Sequence, residues 1–238
     1  DSAVVNLGNI TLVQGQNAIC VYTTLALDSN TYNDQKCTYS YREATVSISY
    51  IEDFEGTDLW LADTLLNQWE RGTPAMTNIT TAHSGTNVWA IDLDGNYANG
   101  SDDYLYSPIV DRSGQDSAVF EFWHYYKNQS GSDGGRIQVS VDGGLWFNLG
   151  YLSDPDGTNW YNDNIGGSHC WSGNSNGWVK SSYKLNFVSA MSIFFGANTV
   201  QFRYHFFSNA STNNGDGWAI DDVKVLRYQS ANDYGVTT

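Results

Sequence analysis

Positive charge is scarce in this 238-residue chain: 11 Lys and Arg stand against 26 Asp and Glu, a formal net charge of −15 at pH 7. Nucleic acids and anionic membranes are held by clustered cations, so neither is an expected partner, and polyanions in general are poor candidates. Long apolar runs are missing too. The longest, 191–196 and 119–123, fall far short of the roughly 20 residues a bilayer helix needs, which excludes insertion by a spanning helix. Charged residues make up only 16% of the chain, against 15% aromatics and 23 glycines, a balance opposite to that of a charged helical or disordered protein. Cysteine is limited to Cys20, Cys37 and Cys170, which permits one intramolecular bridge at most and excludes a disulfide framework as the source of stability. Hydrophobic residues are plentiful, at 41%, enough to build a large packed core.

Helical periodicity is nearly absent. The segment 59–69 spaces Leu61, Leu65, Leu66 and Trp69 as on one helix face, yet it reads equally well as a strand followed by a loop. Alternation of apolar and polar residues predicts strands at 4–12, 18–27, 35–41 and 44–51; in the last, Val46, Ile48 and Tyr50 alternate with Thr45, Ser47 and Ser49. Beyond Asp53 a second set is expected at 87–93, 103–107, 117–127, 136–142, 145–149, 179–186, 200–207 and 218–228. Asp142-Gly143-Gly144 supplies the positive-φ residues of a tight hairpin. The segment 153–177, rich in Asp, Asn, Gly and Ser, reads as a long ordered surface loop. Cys20 and Cys37 lie in successive strands across a turn-rich segment, where a bridge fits if the register sets them opposite; otherwise they are small buried hydrophobes.

The second set carries specific words in a fixed order: Asp53-Phe-Glu-Gly, Trp69-Glu-Arg-Gly, Ser84-Gly-Thr-Asn-Val-Trp-Ala, Leu93-Asp-Gly-Asn-Tyr, Tyr104-Leu-Tyr-Ser-Pro, Val139-Ser-Val-Asp-Gly-Gly and Gly217-Trp-Ala-Ile-Asp-Asp-Val. Together they resemble the MAM-like jelly roll of bacterial secreted and surface proteins, in the version that follows immune-inhibitor-type proteases. Upstream, Val5-Asn-Leu-Gly-Asn-Ile-Thr-Leu, Ile19-Cys-Val-Tyr-Thr-Thr-Leu-Ala-Leu-Asp-Ser-Asn and Tyr32-Asn-Asp-Gln-Lys resemble the closing half of an immunoglobulin-like adhesion-related domain. The tail Ala231-Asn-Asp-Tyr-Gly-Val-Thr-Thr resembles that domain's opening strand. The expected fold class is therefore all-β, a partial immunoglobulin-like sandwich over 1–51 followed by a two-sheet jelly-roll sandwich over 52–228, with 229–238 as a candidate donor strand.

Half a sandwich leaves an apolar face and a row of backbone groups without partners. Tyr234 and Val236 of another copy are the expected assembly-strand residues, and repetition of that contact gives a head-to-tail filament or surface layer. Self-completion by the same tail, or excision from a larger repetitive protein, stay open beside it. The opening Asp1-Ser-Ala carries no leader pattern and reads as a mature or cut product. The expected function is that of a secreted, extracellular or cell-surface structural subunit whose partners are copies of itself. The alternative is a calcium-stabilised carbohydrate-binding or adhesin module, with glycans as partners, or an accessory domain of a secreted protease.

Catalytic groups are thin. His83, His124, His169 and His205 are far apart in sequence, none forms His-Glu-x-x-His, and there is no Gly-x-Ser-x-Gly elbow or P-loop, so the chain is read as non-enzymatic. Asp221 and Asp222, as neighbours on a strand, are expected to point to opposite faces. The resemblance implies a structural calcium held by Glu55 on the first jelly-roll strand and Asp221 or Asp222 on the last, with Asp53 nearby. Asp92 and Asp94 open a run with EF-hand-like oxygen spacing, although its Gly is displaced and the closing Glu is absent, so a turn competes with calcium there. Glycosylation candidates are the sequon residues Asn9, Asn78, Asn99, Asn128 and Asn209; Ser2, Thr64 and Ser117 resemble a bacterial O-glycosylation triplet. Trp160, Tyr161, Trp171 and Trp178, on or beside the long loop, are candidates for stacking on sugars, ranked below structural packing against a sandwich or a neighbouring subunit, while Trp89, Trp123 and Trp218 are expected in the core.

Overall fold

The computed structural model describes residues 11, 15–22, 35–62, 68–211 and 215–228, and the chain divides into two units, Asp1–Ala44 and Thr45–Thr238. In the first unit, β1 (Gly15–Tyr22) and β2 (Gln35–Arg42) form an antiparallel hairpin whose register sets Cys20 directly opposite Cys37, and the two are joined as a disulfide. Tyr234 and Val236, with Ser2, Asn9 and Thr64, lie outside the described residues.

The expected strand at 44–51 is in fact two. β3 (Thr45–Ser47) runs parallel to β8 (Asp102–Asp111), whereas β4 (Tyr50–Glu52) runs antiparallel to β17 (Gly217–Arg227), so the chain changes sheets between them. Both strands therefore belong to the second unit, and the division falls after Ala44 rather than after residue 51. An alternating pattern reports which way side chains face but is blind to which sheet receives them.

No helix occurs among the described residues. The remaining strands are β5 (Leu61–Ala62), β6 (Trp69–Gly72), β7 (Val88–Ile91), β9 (Ser117–Lys127), β10 (Gly134–Val141), β11 (Trp146–Asn148), β12 (Gly157–Thr158), β13 (Asp163–Ile165), β14 (Ser168–Cys170), β15 (Val179–Asn186) and β16 (Thr199–Phe207). One sheet has the order β11-β10-β16-β8-β3, with β5 also on β8; the other has the order β12-β15-β9-β17-β7-β6, with β4 also on β17. The helix-like spacing at 59–69 resolves into β5 and the start of β6, with Leu65 and Leu66 outside the described residues. Asp142 and Gly143, at φ of 48° and 70°, turn β10 into β11 as the Asp-Gly pair predicts.

The two sheets face each other through aromatic rings. Phe120 of β9 stacks on Phe202 of β16 with ring centroids 4.1 Å apart, and Tyr204 of β16 lies 5.2 Å from Phe122 and 5.5 Å from Trp218. Alternation along β9 is strict: Ala118, Phe120, Phe122, His124 and Tyr126 are buried, and the residues between them look outward. Trp89 and Trp218 are buried as expected, but Trp123 sits on the outward parity and is only half-buried. The segment 153–177 is less a surface loop than an insertion into the sandwich. It contains β12, β13 and β14, and Trp171 exchanges backbone hydrogen bonds with Gly135 of β10 at 2.9 and 3.0 Å.

A histidine sits in this core without a charge partner. The Trp218 indole N–H donates to His124 Nδ1 at 3.1 Å, so the ring proton is on Nε2 and faces Ser181 Oγ at 2.9 Å. The Ser181 hydroxyl donates onward to the Asn159 carbonyl at 2.7 Å, which also accepts the Trp171 indole N–H at 3.0 Å. Burial pushes the His124 pKa down to about 3. Gly135 is required at this point, because a Cβ there would lie 2.4 Å from the Trp218 ring.

Two outcomes follow. Gly135→Ala should lower stability by about 2 kcal/mol in urea unfolding, through the displaced Trp218 ring. Because the folded-state His124 pKa lies below the ordinary 6.5, its contribution is complete above pH 6.5 and is lost as pH falls toward 3, by up to about 1.4 kcal/mol per pH unit. The stability difference between the wild type and His124→Gln should therefore shrink between pH 6.5 and 4; a constant difference would contradict the neutral-histidine assignment.

Candidate functional site

Outward residues of the six-stranded sheet form a polar and aromatic array. Cross-strand register aligns Asn148, Gln138, Arg203 and Tyr106 in one row and Arg136, His205 and Tyr104 in the next. The Arg203 guanidinium lies over the rings of Tyr104 at 4.3 Å and Trp146 at 4.4 Å. Its Nε–H donates to Gln138 Oε1 at 2.7 Å, and the Gln138 amide donates to Asn148 Oδ1 at 2.9 Å. In the next row the His205 ring stacks on Tyr104 at 4.3 Å. Arg136 Nε–H donates to His205 Nδ1 at 2.9 Å, which leaves the His205 proton on Nε2, 2.6 Å from Asp102 Oδ1. Desolvation, with Arg136 beside it, lowers the His205 pKa to about 4, so this row is neutral at the imidazole and cationic at the guanidinium.

The opposite sheet carries a second cluster. A β-bulge in β17 inserts an extra residue between the pairs Asp221–Trp123 and Lys224–Glu121, and Asp222 takes a φ of 48°. Strand alternation is broken there, so the expected divergence of Asp221 and Asp222 does not hold: their carboxylates converge with His83, ligand atoms lying within 4.8 Å of one another. Asp221 Oδ2 accepts the amide N–H groups of His83 at 2.9 Å and Ser84 at 3.0 Å, and Oδ1 accepts that of Asp222 at 2.7 Å. Burial still raises the Asp221 pKa to about 6. Asp222 Oδ2 lies 2.6 Å from His83 Nδ1, and the His83 ring stacks on Trp123 at 3.9 Å.

Glu55 is not part of that cluster. Its carboxylate grips the far end of the same loop, accepting the amides of Thr86 at 2.8 Å and Asn87 at 2.6 Å together with the Thr86 hydroxyl and the Asn87 side-chain amide, each at 2.9 Å. These donors hold its pKa below the ordinary value. Gly85 has a φ of 57°, and a Cβ there would lie 2.5 Å from Glu55 Oε1. Asp53 Oδ1 accepts the Glu55 amide. Calcium needs six to eight oxygens. Here the oxygens of Glu55 and Asp221 accept N–H and O–H donors and anchor the loop, and the expected pairing of Glu55 with the last-strand aspartates in one site does not occur, since the carboxylates that converge are those of Asp221 and Asp222, with His83. At the other candidate position, Asp92 Oδ1 accepts the amides of Asp94 and Gly95 in a tight turn, and Asp94 is exposed. That segment is a turn.

Burial removes most of the expected sugar platforms. Trp160, Tyr161 and Trp171 are 4%, 5% and 2% exposed, because the insertion that carries them closes the sandwich. Trp178 is half-buried, its indole N–H donating to the Thr81 carbonyl at 3.1 Å. Asn78 and Asn99 are exposed, while Asn209 and Ser117 are half-buried. Asn128 is buried with Oδ1 bonded to the Gly173 amide, which leaves no room for a glycan on its nitrogen.

Ser181 and His124 are within hydrogen-bonding distance, yet they make no nucleophile and base. Both are fully buried, and the proton on Nε2 faces the hydroxyl it would have to accept from. Cys170 is buried too, and desolvation raises its thiol pKa to about 11, far from a reactive thiolate.

Sequence reading missed Arg136, Gln138, Arg203, His205, Tyr104, Tyr106 and Trp146. Alternate spacing in Tyr104–Tyr106 and in Arg203–His205 signals a shared outward parity, but the register that joins the strands has no local signature. If Asp221 is the anchor of the 83–84 amides, Asp221→Ala should lower stability by about 3 kcal/mol in chemical unfolding, with no dependence on added calcium.

No family model matches the chain. It is 29% identical over 191 residues to Bacillopeptidase F of Bacillus subtilis (strain 168), an alignment that takes in 79% of this chain and 11% of the length of that relative. Among solved structures, the K2 cleaved adhesin domain of Lys-gingipain is similar at 16% identity and a TM-score of 0.47, over 75% of this chain and 97% of that one. The K1 cleaved adhesin domain of Lys-gingipain from Porphyromonas gingivalis W83 is similar at 14% identity and a TM-score of 0.45, over 76% and 99%. A xylan-binding domain from Paenibacillus barcinonensis is similar at 10% identity and a TM-score of 0.44, over 78% and 99%.

Proposed function

We propose that this chain is a non-catalytic accessory module of an extracellular protein, and that it holds that protein on a carbohydrate surface through the outer face of the six-stranded sheet. The observation that carries this reading is the array of Trp146, Gln138, Arg203, His205, Tyr104 and Tyr106. Its side chains are locked to one another by hydrogen bonds and stacking before any ligand arrives. Preorganised polar groups beside aromatic rings suit hydroxyl-rich ligands, because little side-chain freedom is lost on binding. A disulfide in the first unit fits an oxidising compartment. Likeness to 11% of the length of a peptidase fits a module within a larger protein. The head-to-tail filament depends on Tyr234 and Val236, and neither the described residues nor any comparison supports it.

Affinity electrophoresis of the full chain through gels containing individual polysaccharides tests the reading. At least one polymer should retard migration, and Trp146→Ala should weaken that retardation about tenfold while the thermal transition of the sandwich is kept. Retardation by no polymer, or the same retardation by the variant, would reject the reading.

A further inference from the structure

The chain has 11 Lys and Arg in all, and two of its arginines stand on diagonal positions of one sheet face. Among the described residues neither Arg136 nor Arg203 lies within 4.0 Å of a carboxylate; the Lys and Arg ion pairs found are Arg71–Asp58 and Lys180–Glu121. In a molecule of formal charge −15, unpaired guanidinium groups are conspicuous, since carboxylates are abundant elsewhere on the chain. Both are also oriented in the same manner. Each is tied down through its inner nitrogen, Arg203 Nε to Gln138 and Arg136 Nε to His205. Each plane is supported by rings, Arg203 by Tyr104 and Trp146 and Arg136 by Phe207 at 5.2 Å. Arg203 Nη1 reaches the Tyr106 hydroxyl at 3.3 Å, whereas Arg203 Nη2 and the terminal nitrogens of Arg136 have no hydrogen-bond partner among the described residues.

We infer that this face selects glycans bearing carboxylate groups, with Arg136 and Arg203 as the receptors for uronate residues. The inference rests on the carbohydrate-binding reading above and names its ligand class; it departs from the expectation that net charge sets against polyanions, because two guanidinium groups without carboxylate partners share this one face. A guanidinium held flat by its inner edge presents the outer edge as a fork, the geometry that pairs bidentately with a planar carboxylate. Around the fork, the Asn148 amide and the Tyr106 hydroxyl are placed to meet ring hydroxyls. The array crosses β11, β10, β16 and β8, three inter-strand steps of about 4.8 Å each, an extent suited to a polymer rather than to a single sugar. Asp102 is the acidic group beside the array. Its Oδ1 accepts from both His205 and Tyr104.

The test compares four probes by isothermal titration with the full chain: polygalacturonate, its carboxyl-reduced neutral form, xylan and dextran sulfate. Polygalacturonate should bind at least tenfold more tightly than its carboxyl-reduced form and more tightly than dextran sulfate. Arg203→Lys, which keeps the charge and removes the fork, should weaken polygalacturonate binding about tenfold; Arg136→Gln should do the same while Arg203 keeps its place between the Tyr104 and Trp146 rings. Equal binding of the acidic and reduced polymers, lost in Trp146→Ala, would overturn the carboxylate assignment while leaving the carbohydrate-binding reading in place. Dextran sulfate binding as tightly as polygalacturonate, or an unaltered Arg203→Lys, would reduce the site to simple charge attraction and overturn it as well. Binding of none of the four, together with no retardation by any other polysaccharide, would reject both readings.

Discussion

The hydrogen bond from the Trp218 indole to His124 sets the terms for the rest of the sandwich. It fixes the imidazole tautomer, which directs Nε2–H to Ser181 and Ser181 to the carbonyl of Asn159, the point where Trp171 is also held. One buried relay thus joins the last strand, the long central strand β9, its neighbour β15 and the inserted segment. Each polar member is satisfied, which is the condition under which a buried network specifies a single packing rather than weakening it. A charged imidazole would break the relay, because Nδ1 would become a donor facing another donor.

Aromatic residues are divided between two tasks by strand parity: Phe120, Phe122, Phe202 and Tyr204 close the interior, while Tyr104, Tyr106 and Trp146 support guanidinium groups at the surface. The carboxylates follow a similar division. Glu55 and Asp221 hold opposite ends of one loop through amide hydrogen bonds, and the loop in turn sets the His83 ring on Trp123. Both carboxylates serve as acceptors for backbone donors that would otherwise face each other across a tight turn.

Strand positions such as Ser117–Lys127 and Val179–Asn186 were legible from alternation alone, because half-buried strands must alternate. The hairpin at Asp142-Gly143 was equally local, a matter of positive φ at two residues. For Trp160, Tyr161 and Trp171 packing is the favoured reading over sugar stacking and the burial agrees with it, but a loop rich in Asp, Asn and Gly gives no sign of which core its aromatic residues join. The convergence of Asp221 and Asp222 was hidden for a different reason: a bulge inverts the parity rule at a single residue, and nothing in Ile220-Asp-Asp-Val marks it.

What the sequence by itself determined is the class: an acidic, turn-rich, alternating chain without helical periodicity has an all-β sandwich as its outcome, since period-two patterns bury one face and solvate the other. The tertiary structure alone decided which outward residues meet. Arg203 is 65 residues from Gln138 and 97 from Tyr106, and these become neighbours only through register across β10, β16 and β8. Register is set by the packing of the opposite face, by Phe202 and Tyr204 against Phe120 and Phe122, so the surface array is a consequence of the core beneath it.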